Sequence, residues 1–243
     1  MKNKIFSLDN PKAAKAVEYG WLNAIHYMAP ANLAGVGNLC PHASPGCTVL
    51  CLGWTSGQAG MVSNQSDINN VRKSRIDKAR RFMRDRAAYM RDVVCSIKLS
   101  QRKANKLGLH LCIRMNGSTD IGWEGVKTDS GQTLMELFPD VQFVDYTKSI
   151  KRAIACAKGQ FPTNYLLCFS RSETNEAQAI EVLTAGGTVA AVFAHYRPRR
   201  WRGFPTLDGD THDLRHLDPR GHVVALSPKG RIAKKDLTGF VVR

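Results

Sequence analysis

The sequence lacks the features that mark membrane and secreted proteins. It contains no run of about eighteen apolar residues, so it predicts no membrane-spanning helix. Residues 1–6 carry no long apolar run of the kind found in signal peptides, and seven cysteines is an odd number for a disulfide framework. We therefore expect a soluble protein in a reducing cytoplasm.

The common catalytic signatures are absent as well. The chain has no nucleophile elbow, Walker loop, dinucleotide-binding fingerprint or HExxH motif, and it has no internal repeat. Its 243 residues, 43% of them hydrophobic, suffice for one core of the α/β type. We expect a single domain over residues 1–243, made of an N-terminal segment (1–62), a basic helical segment (63–107) and β/α units (108–243).

Acidic residues are few relative to basic ones. The chain has 20 Asp and Glu against 35 Lys and Arg, a net charge of +15. From residue 61 to residue 107, thirteen Lys and Arg face four Asp, and a second basic block adds Arg197, Arg199, Arg200 and Arg202 without an acid. Because Lys and Arg near phosphates release counterions, we expect nucleic acid to contact residues 72–106 and 197–202. A solvated helix face is the alternative.

The order of the hydrophobic patterns predicts a mostly parallel sheet. A helix is predicted over residues 11–27, and one long basic amphipathic helix, or two in series, over 66–104. After Gly108, β-rich runs alternate with helical patterns, which implies right-handed crossovers. The predicted strands cover 109–115, 141–146, 165–169, 188–194 and 222–226; the predicted helices cover 132–138, 149–158 and 174–185. We expect a complete or partial (β/α) barrel, with a Rossmann-like sheet as the alternative.

Polar side chains follow each of these β-rich runs. In a parallel α/β fold the carboxyl ends of the strands share one edge, where the active sites of such folds form. We therefore predict a pocket there. Its predicted catalytic residues are Asp120, Asp145, Lys148 and Glu173, and its predicted cofactor-binding residues are Arg114, Asn116, Ser170 and Arg171. Asp145 and Lys148 alternatively form an ion pair that only positions a loop.

Two more polar groups follow the fourth predicted strand. His195 comes directly after it and is a candidate for the same pocket. Asp208 and Asp210 flank Gly209, and they either bind a divalent cation or form a tight turn.

Three cysteines, Cys40, Cys47 and Cys51, lie within a dozen residues of a segment that contains proline and glycine. Iron–sulfur clusters take thiolates from irregular loops, and three thiolates on a four-iron cluster leave one iron open to a small ligand. Structural zinc usually takes paired cysteines, so a zinc site here would be Cys3His with His42. The third alternative is that these cysteines bind nothing. The other four cysteines lie in apolar patterns and are predicted to be core residues: Cys95, Cys112, Cys156 and Cys168.

Five segments of the sequence carry a family resemblance. They are residues 40–51 with the three cysteines, 114–124 (RMNGSTDIGWE), 138–148 (FPDVQFVDYTK), 169–173 (FSRSE) and 208–210 (DGD). Together they resemble the gene product eighty-eight type family of phages and plasmids, from about residue 32 to the C-terminus. The resemblance implies a mobile-element origin, with the cytoplasm of a host cell as the location, and no agreed activity.

A more distant similarity concerns residues 44–47, Ser-Pro-Gly-Cys, inside the three-cysteine segment. This pattern is similar to phage proteins connected with the radical S-adenosylmethionine enzymes. The similarity implies a 4Fe–4S cluster on Cys40, Cys47 and Cys51, with S-adenosylmethionine as a ligand of the open iron. The spacing differs, because six and then three residues separate these cysteines where that superfamily typically has three and then two.

The sequence therefore predicts an iron–sulfur, radical-S-adenosylmethionine-like enzyme of a phage or other mobile element that acts on nucleic acid or a nucleotide. The rival prediction is a non-catalytic nucleic-acid-binding protein, such as a replication or regulatory factor, with a structural cysteine site. The two differ in the polar strand ends, because a binding protein has little need to gather them in one pocket.

Overall fold

The computed structural model describes residues 4–8, 11–195 and 197–243. Within this range the chain forms one ten-stranded sheet in the order β1-β2-β3-β4-β5-β6-β9-β8-β7, with β10 beside β6. The strands are β1 (Phe6–Ser7), β2 (Trp21–His26), β3 (His110–Arg114), β4 (Gln142–Thr147), β5 (Tyr165–Ser170), β6 (Thr188–Phe193), β7 (Arg200–Trp201), β8 (Phe204–Asp208), β9 (Val223–Leu226) and β10 (Val241–Val242). The helices are α1 (Pro11–Val17), α2 (Pro45–Val49), α3 (Leu52–Thr55), α4 (Asn70–Arg84), α5 (Arg86–Lys106), α6 (Leu134–Leu137), α7 (Ile150–Ala157), α8 (Glu176–Thr184) and α9 (Gly230–Lys234).

The sheet is mostly parallel and open. From β2 to β6, and on through β9 to β8, each strand runs parallel to its neighbour. The five strands predicted after Gly108 are β3, β4, β5, β6 and β9, which are neighbours in that order, so this prediction is confirmed. The barrel is not confirmed. Each outermost parallel strand pairs with a two-residue antiparallel strand, β1 or β7, instead of with the other end of the sheet.

The two faces of the sheet are covered differently. Consecutive parallel strands joined by right-handed crossovers place their helices on one face, where α5, α7 and α8 contact the strands. Phe143 and Phe169 are buried on this helical face. On the other face Cys112 and Val144 pack against Leu214, which precedes a 3₁₀ turn that contacts β4 and β5. Among the described residues, no helix as long as α5 covers this second face.

The helix predicted over residues 11–27 is wrong in its second half. α1 ends at Val17, and Trp21–His26 forms β2, which pairs with β3 on one side and β1 on the other. Five of the six residues of β2 are buried, because the strand lies inside the sheet with both faces covered. Such a strand shows no alternation of polar and apolar residues, so its pattern resembles that of a buried helix.

The basic segment forms two helices in series. Asp85 separates them, and its side chain accepts a hydrogen bond from Ala88 N–H as the N-cap of α5. Nine of the thirteen basic residues are exposed, and four are not: Arg72, Arg75, Lys78 and Arg81. Part of the positive charge is therefore packed inside the protein and is not available at the surface.

No helix of the described residues, α5 included, is both long and apolar enough to cross a membrane.

Arg72 is fully buried and ties α4 to the segment that follows α3. Its guanidinium donates hydrogen bonds to the carbonyls of Trp54 (2.7 Å), Ala59 (2.8 Å), Gln65 (2.7 Å) and Asp67 (2.8 Å). The guanidinium also stacks on the Trp54 ring, 4.4 Å from its centroid. One side chain thus fixes the irregular stretch from residue 54 to residue 67.

We expect Arg72→Ala to lower the free energy of unfolding by about 3–5 kcal/mol, because four carbonyls lose their shared donor and a buried cation is replaced by a void. Urea denaturation followed by circular dichroism measures the change. Lys73→Ala, at the exposed neighbouring position, is the control and should change stability by less than about 0.5 kcal/mol. Equal losses in both variants would contradict the structural role of Arg72.

Candidate functional site

A cavity of about 430 Å³ opens at the carboxyl edge of the parallel strands. Cys40, Cys47 and Cys51 line it together with residues from the ends of β3, β4 and β5. Six of the eight predicted catalytic and cofactor-binding residues are among these: Arg114, Asn116, Asp120, Lys148, Ser170 and Arg171. The topology therefore gathers the cysteine segment and the polar strand ends around one space.

The cysteine segment combines irregular residues, Cys40 and Cys51 among them, with one short helix, so the expectation of a loop is not confirmed for the whole segment. Cys47 lies in α2, and Cys51 occupies the N-cap position of α3. The Ser44 side chain accepts a hydrogen bond from Cys47 N–H at 3.1 Å, and Pro45 fills the first helical position. A capping serine followed by proline favours the start of a helix at this point. The capped turn fixes the backbone that carries Cys47.

Glu173, from the loop after β5, holds the start of α2. Its carboxylate accepts hydrogen bonds from the Ser44 hydroxyl (2.8 Å) and from Gly46 N–H (2.7 Å). Glu173 and Thr238 lie close to Gly46: a Cβ atom there would be 2.8 Å from a Glu173 carboxylate oxygen and 2.6 Å from the Thr238 hydroxyl oxygen. Glu173, predicted as a catalytic residue, does not line the cavity, and its contacts position the start of α2.

Gly53 brings the cysteine segment against the loop after β3. A Cβ atom at Gly53 would lie 2.2 Å from the Ser118 Cβ, which leaves no room for a side chain. Arg75 of α4 donates a hydrogen bond to the Gly53 carbonyl. On the same loop the Ser118 carbonyl accepts a contact from Cys40 Sγ at 3.7 Å, and Ala31 N–H donates to that sulfur at 3.3 Å. The cysteine segment is thus attached to the sheet by several independent contacts.

The three thiols interact electrostatically. Burial, and to a smaller extent negative charge on the neighbouring sulfurs, raises the pKa of Cys40 to about 12 and that of Cys51 to about 11. Burial also raises the pKa of Cys47, while the nearby charge of Lys148 lowers it. The thiols are therefore protonated at neutral pH, and a metal centre that binds them must displace their protons.

His42, the fourth ligand of the zinc alternative, is exposed and does not line the cavity. Within the described ranges, no group of three or more His, Cys, Asp or Glu side chains is arranged to hold a metal ion.

Asn116 and Asp145 organise the loop after β3. Asp145 is fully buried, and its carboxylate accepts hydrogen bonds from Asn116 N–H (2.6 Å) and from the Tyr165 hydroxyl (3.1 Å). The Asn116 side-chain oxygen in turn accepts from the Thr119 hydroxyl (2.8 Å) and from Trp123 Nε1 (3.1 Å). Asn116 therefore contacts the cavity while its side chain is occupied in holding the loop.

Asp120 braces the same loop against β4 and α7. One carboxylate oxygen accepts from Arg152 Nη1 at 2.7 Å, and the other accepts from Lys148 N–H at 2.8 Å. Arg152 also pairs with Glu124 at 2.6 Å. Both oxygens of Asp120 are thus engaged in positioning contacts at the edge of the cavity.

Arg114 lies at the end of β3 against a carboxylate that sequence reasoning did not assign to the site. Its guanidinium pairs with Asp213 at 2.9 Å and stacks over the Tyr146 ring, 4.4 Å from the centroid. Burial disfavours the guanidinium charge, but Asp213, together with Tyr146, Tyr27 and Asp145, outweighs it and holds the pKa of Arg114 above its ordinary value. Arg114 is a permanent, paired cation in the cavity wall.

Arg171 connects β5 to the C-terminal residues. Its guanidinium donates to the carbonyls of Gly239 and Phe240 and pairs with Glu176 at 3.1 Å. Phe240 and Val241 themselves line the cavity, so Arg171 holds part of the wall in place.

The Gene product 88 model matches residues 2–243, nearly the whole chain. The chain belongs to the Gene product 88 family. No curated protein and no solved structure matches it. The predicted family resemblance is therefore confirmed, whereas the similarity to radical S-adenosylmethionine enzymes finds no support in these comparisons.

Several candidates lie outside the cavity of this Gene product 88 protein. Asp145 lies on the helical side of β4, and no hydrogen bond or ion pair joins its carboxylate to Lys148 in the described part of the chain. His195 is exposed and does not line the cavity. Asp208 does not line the cavity either, whereas Asp210 does. The two form the predicted tight turn, in which Asp208 accepts from Asp210 N–H at 2.8 Å and both carboxylates pair with Arg197.

The remaining cysteines follow the prediction with one exception. Cys112 and Cys168 are buried and Cys156 is half-buried, but Cys95 of α5 is exposed.

Sequence reasoning assigned no catalytic or binding role to some lining residues of the Gene product 88 cavity. His212 and Asp213 follow the turn at Asp208 closely, so their proximity in sequence was the available signal. Lys15 and Phe240 come from the two ends of the chain, and their positions depend on tertiary packing.

Asp145 makes stability depend on pH. Burial raises its pKa to about 7, while hydrogen bonds from Asn116 and Tyr165 lower it, and its ordinary value is 3.8. Folding therefore takes up a proton between about pH 4 and pH 7, so this carboxyl makes the fold less stable as pH rises through that window. We expect the stability of the wild type relative to Asp145→Asn to fall by roughly 2–4 kcal/mol from pH 4 to pH 7. Urea denaturation at each pH measures this; a difference that is constant or rises with pH would contradict it.

Proposed function

We propose that this Gene product 88 protein is an enzyme whose active site is the cavity, and that Cys40, Cys47 and Cys51 ligate a 4Fe–4S cluster there. The observation that carries the proposal is that all three thiols line the same space as the polar ends of β3, β4 and β5. A purely structural cysteine site has no need of that arrangement. Parallel α/β folds build their active sites at this edge.

The donor set fits such a cluster. In a four-iron cluster the thiolates bind different iron atoms, so they surround the cluster and need not converge on a single ion. Amide donors next to the sulfur support the charged form of a ligand, and Ala31 N–H already donates to Cys40. Lys148 and Arg75 add positive charge near Cys47 and Cys51. When bound through three thiolates, the cluster supplies one iron with an open position for a small ligand.

Different residues of the chain would position the cysteines and bind the substrate. Glu173, Gly46 and Gly53 hold the cysteine segment against the sheet. Arg114, Lys148 and Ser170 face the cavity and would orient a nucleotide or a nucleic-acid end, the substrate class we propose from the basic charge of the protein. S-adenosylmethionine is the co-substrate to test first, on the distant sequence similarity alone.

We expect protein purified without oxygen to be brown and to contain about four iron atoms per chain. Alanine at Cys40, Cys47 or Cys51 should abolish the colour and the iron, because each variant removes a thiolate ligand. Cys95→Ala is the matched control, since that thiol is exposed on α5 and away from the cavity, and it should keep both. Visible absorption and iron and sulfide analysis provide the measurement.

Three results would count against the cluster. Metal-free protein that also resists cluster reconstitution would leave the cysteines structural. Stoichiometric zinc would favour a Cys3His site with His42. Equal iron in the Cys47→Ala and Cys95→Ala variants would place the metal elsewhere. S-adenosylmethionine should alter the electron paramagnetic resonance signal of the reduced cluster if it binds the open iron.

A second candidate function, nucleic-acid binding, rests on the exposed end of α5. Lys98, Arg102, Lys103 and Lys106 are exposed, and none of them makes an ion pair among the described residues. By contrast, Arg197 of the second basic block pairs with Asp208 and Asp210, and Arg202 pairs with Glu176. Arg199 and Arg200 of that block are exposed and make no ion pair among the described residues, but α5 carries the larger group of unpaired basic side chains. Its last turn leads into the start of β3, so it lies at the sheet edge opposite to the cavity.

We expect DNA or RNA to bind this surface with an affinity that falls steeply with salt. The triple change Lys98→Glu, Arg102→Glu and Lys106→Glu alters one face of α5 and should reduce the slope of log affinity against log salt by about three. The charge-matched control changes the exposed Lys127, Lys151 and Lys158 to Glu and should leave the slope nearly unchanged. Fluorescence anisotropy with a labelled oligonucleotide measures both. Equal losses in the two triple variants would indicate a general charge effect and no defined surface.

A further inference from the structure

Lys148 is half-buried in the cavity wall, and its ammonium group contacts only neutral groups, although its backbone N–H donates to Asp120. Its ammonium donates to the Ser170 hydroxyl at 2.7 Å and to the Ser170 carbonyl at 3.3 Å. It also contacts the Cys47 thiol and lies 5.2 Å from the centroid of the Phe240 ring. In the described part of the chain no carboxylate pairs with it.

The other buried cations of the cavity wall are each paired with a carboxylate. Arg114 pairs with Asp213 at 2.9 Å, and Arg171 pairs with Glu176 at 3.1 Å. The more exposed Lys229 pairs with Asp210 at 2.8 Å. Taking a cation out of water without a counter-charge is unfavourable, so the neutral surroundings of Lys148 need an explanation.

A second hydrogen-bond donor, the Ser170 hydroxyl, lies beside this ammonium group. An ammonium group only donates hydrogen bonds, so the Ser170 hydroxyl oxygen must accept from Lys148. The hydroxyl proton of Ser170 is then available to another acceptor. The contacts that Lys148 makes to the Ser170 carbonyl and to the thiol are weak, because the first is long and sulfur is a poor acceptor. An incoming oxygen anion would replace them with charge-assisted hydrogen bonds.

We propose that Lys148 and Ser170 form the anion-binding subsite of the cavity, and that the substrate or co-substrate carries a carboxylate or phosphate group that binds there. The inference rests on the proposed function only in taking the cavity as the active site, and it names the chemical class of its ligand.

The rest of the lining suits the carbon skeleton of such a ligand. Ala190 and Val192 of β6, Leu226 of β9 and Leu50 of the cysteine segment present apolar side chains to the same space, and Phe240 adds an aromatic ring. A cavity that is mostly apolar with a few polar groups at defined positions is typical of small-molecule sites. The ligand is therefore a small organic molecule with one anionic end, and not a bare inorganic ion.

The test uses the full-length, metal-free protein, so that it does not depend on whether a cluster binds. Inorganic phosphate and acetate are titrated separately by isothermal titration calorimetry, at an ionic strength held constant with chloride. We expect one saturable site per chain. Tighter phosphate binding would assign the ligand to phosphorylated compounds, and tighter acetate binding would assign it to carboxylic acids; either result supports the subsite.

Two kinds of variant locate the site. Lys148→Gln should weaken the preferred anion at least about tenfold, and Lys148→Arg should keep its affinity within a few-fold, because the positive charge is retained. Ser170→Ala should weaken binding several-fold and serves as the second variant if Lys148→Gln does not fold, which circular dichroism and a urea midpoint would reveal. Lys229→Gln is the matched control, because that lysine also lines the cavity but is paired with Asp210, and its affinity should match the wild type.

The proposal is overturned if neither anion binds more tightly than chloride, or if Lys148→Gln and Ser170→Ala bind as the wild type does. In that case Lys148 serves only to stabilise Cys47 and the end of β5. A protein that binds the anion but never binds iron would leave this subsite standing while removing the cluster, so the two proposals fail separately.

Discussion

The contact between Asp145 and Asn116 determines much of the cavity. The buried carboxylate fixes Asn116, and Asn116 fixes the loop that carries Ser118 and Asp120. Ser118 then packs on Gly53 of the cysteine segment, and Asp120 receives Lys148 N–H. A buried, hydrogen-bonded carboxylate at the centre of such a network holds its partners more rigidly than an exposed ion pair can. The thiols and the strand ends therefore depend on a residue that does not touch the cavity.

The sequence predicted the strands that lie beyond the basic helices, because alternating strand and helix patterns leave few topologies for a parallel sheet. It failed for β2, since a strand buried on both faces has no polar alternation, and for the two-residue strands, which are too short to carry a pattern. Whether the sheet closes was not predictable either. That depends on β1 and β7, and their pairing is set by tertiary contacts rather than by their own residues.

The sequence predicted which residues line the candidate site better than it predicted what each of them does. Residue type and position at the end of a strand indicated Arg114, Lys148 and Ser170, which do line the cavity. The same reasoning included Asp145, because neighbouring residues of a strand point to opposite faces and the sequence does not say which face encloses the space. It also included Glu173, which lies in the loop after β5, where the sequence does not show the direction of a side chain. The basic segment shows a related limit. Net charge counts Arg72 like any exposed arginine, although its guanidinium is enclosed by backbone carbonyls.

Gly46 of the cysteine segment and Gly53, which follows that segment, also restrict which sequences can occupy this fold. At Gly46 and Gly53 any side chain would overlap Thr238, Glu173 or Ser118, whereas the exposed Val49 and Leu52 nearby meet no such limit. A methyl group at Gly53 would meet the Cβ and the backbone of Ser118, whereas at Gly46 it would meet the ends of the Thr238 and Glu173 side chains. A chain could thus keep all three cysteines and still lose the shared space through a change at Gly53, which makes this glycine informative about the site beside the sulfur atoms themselves.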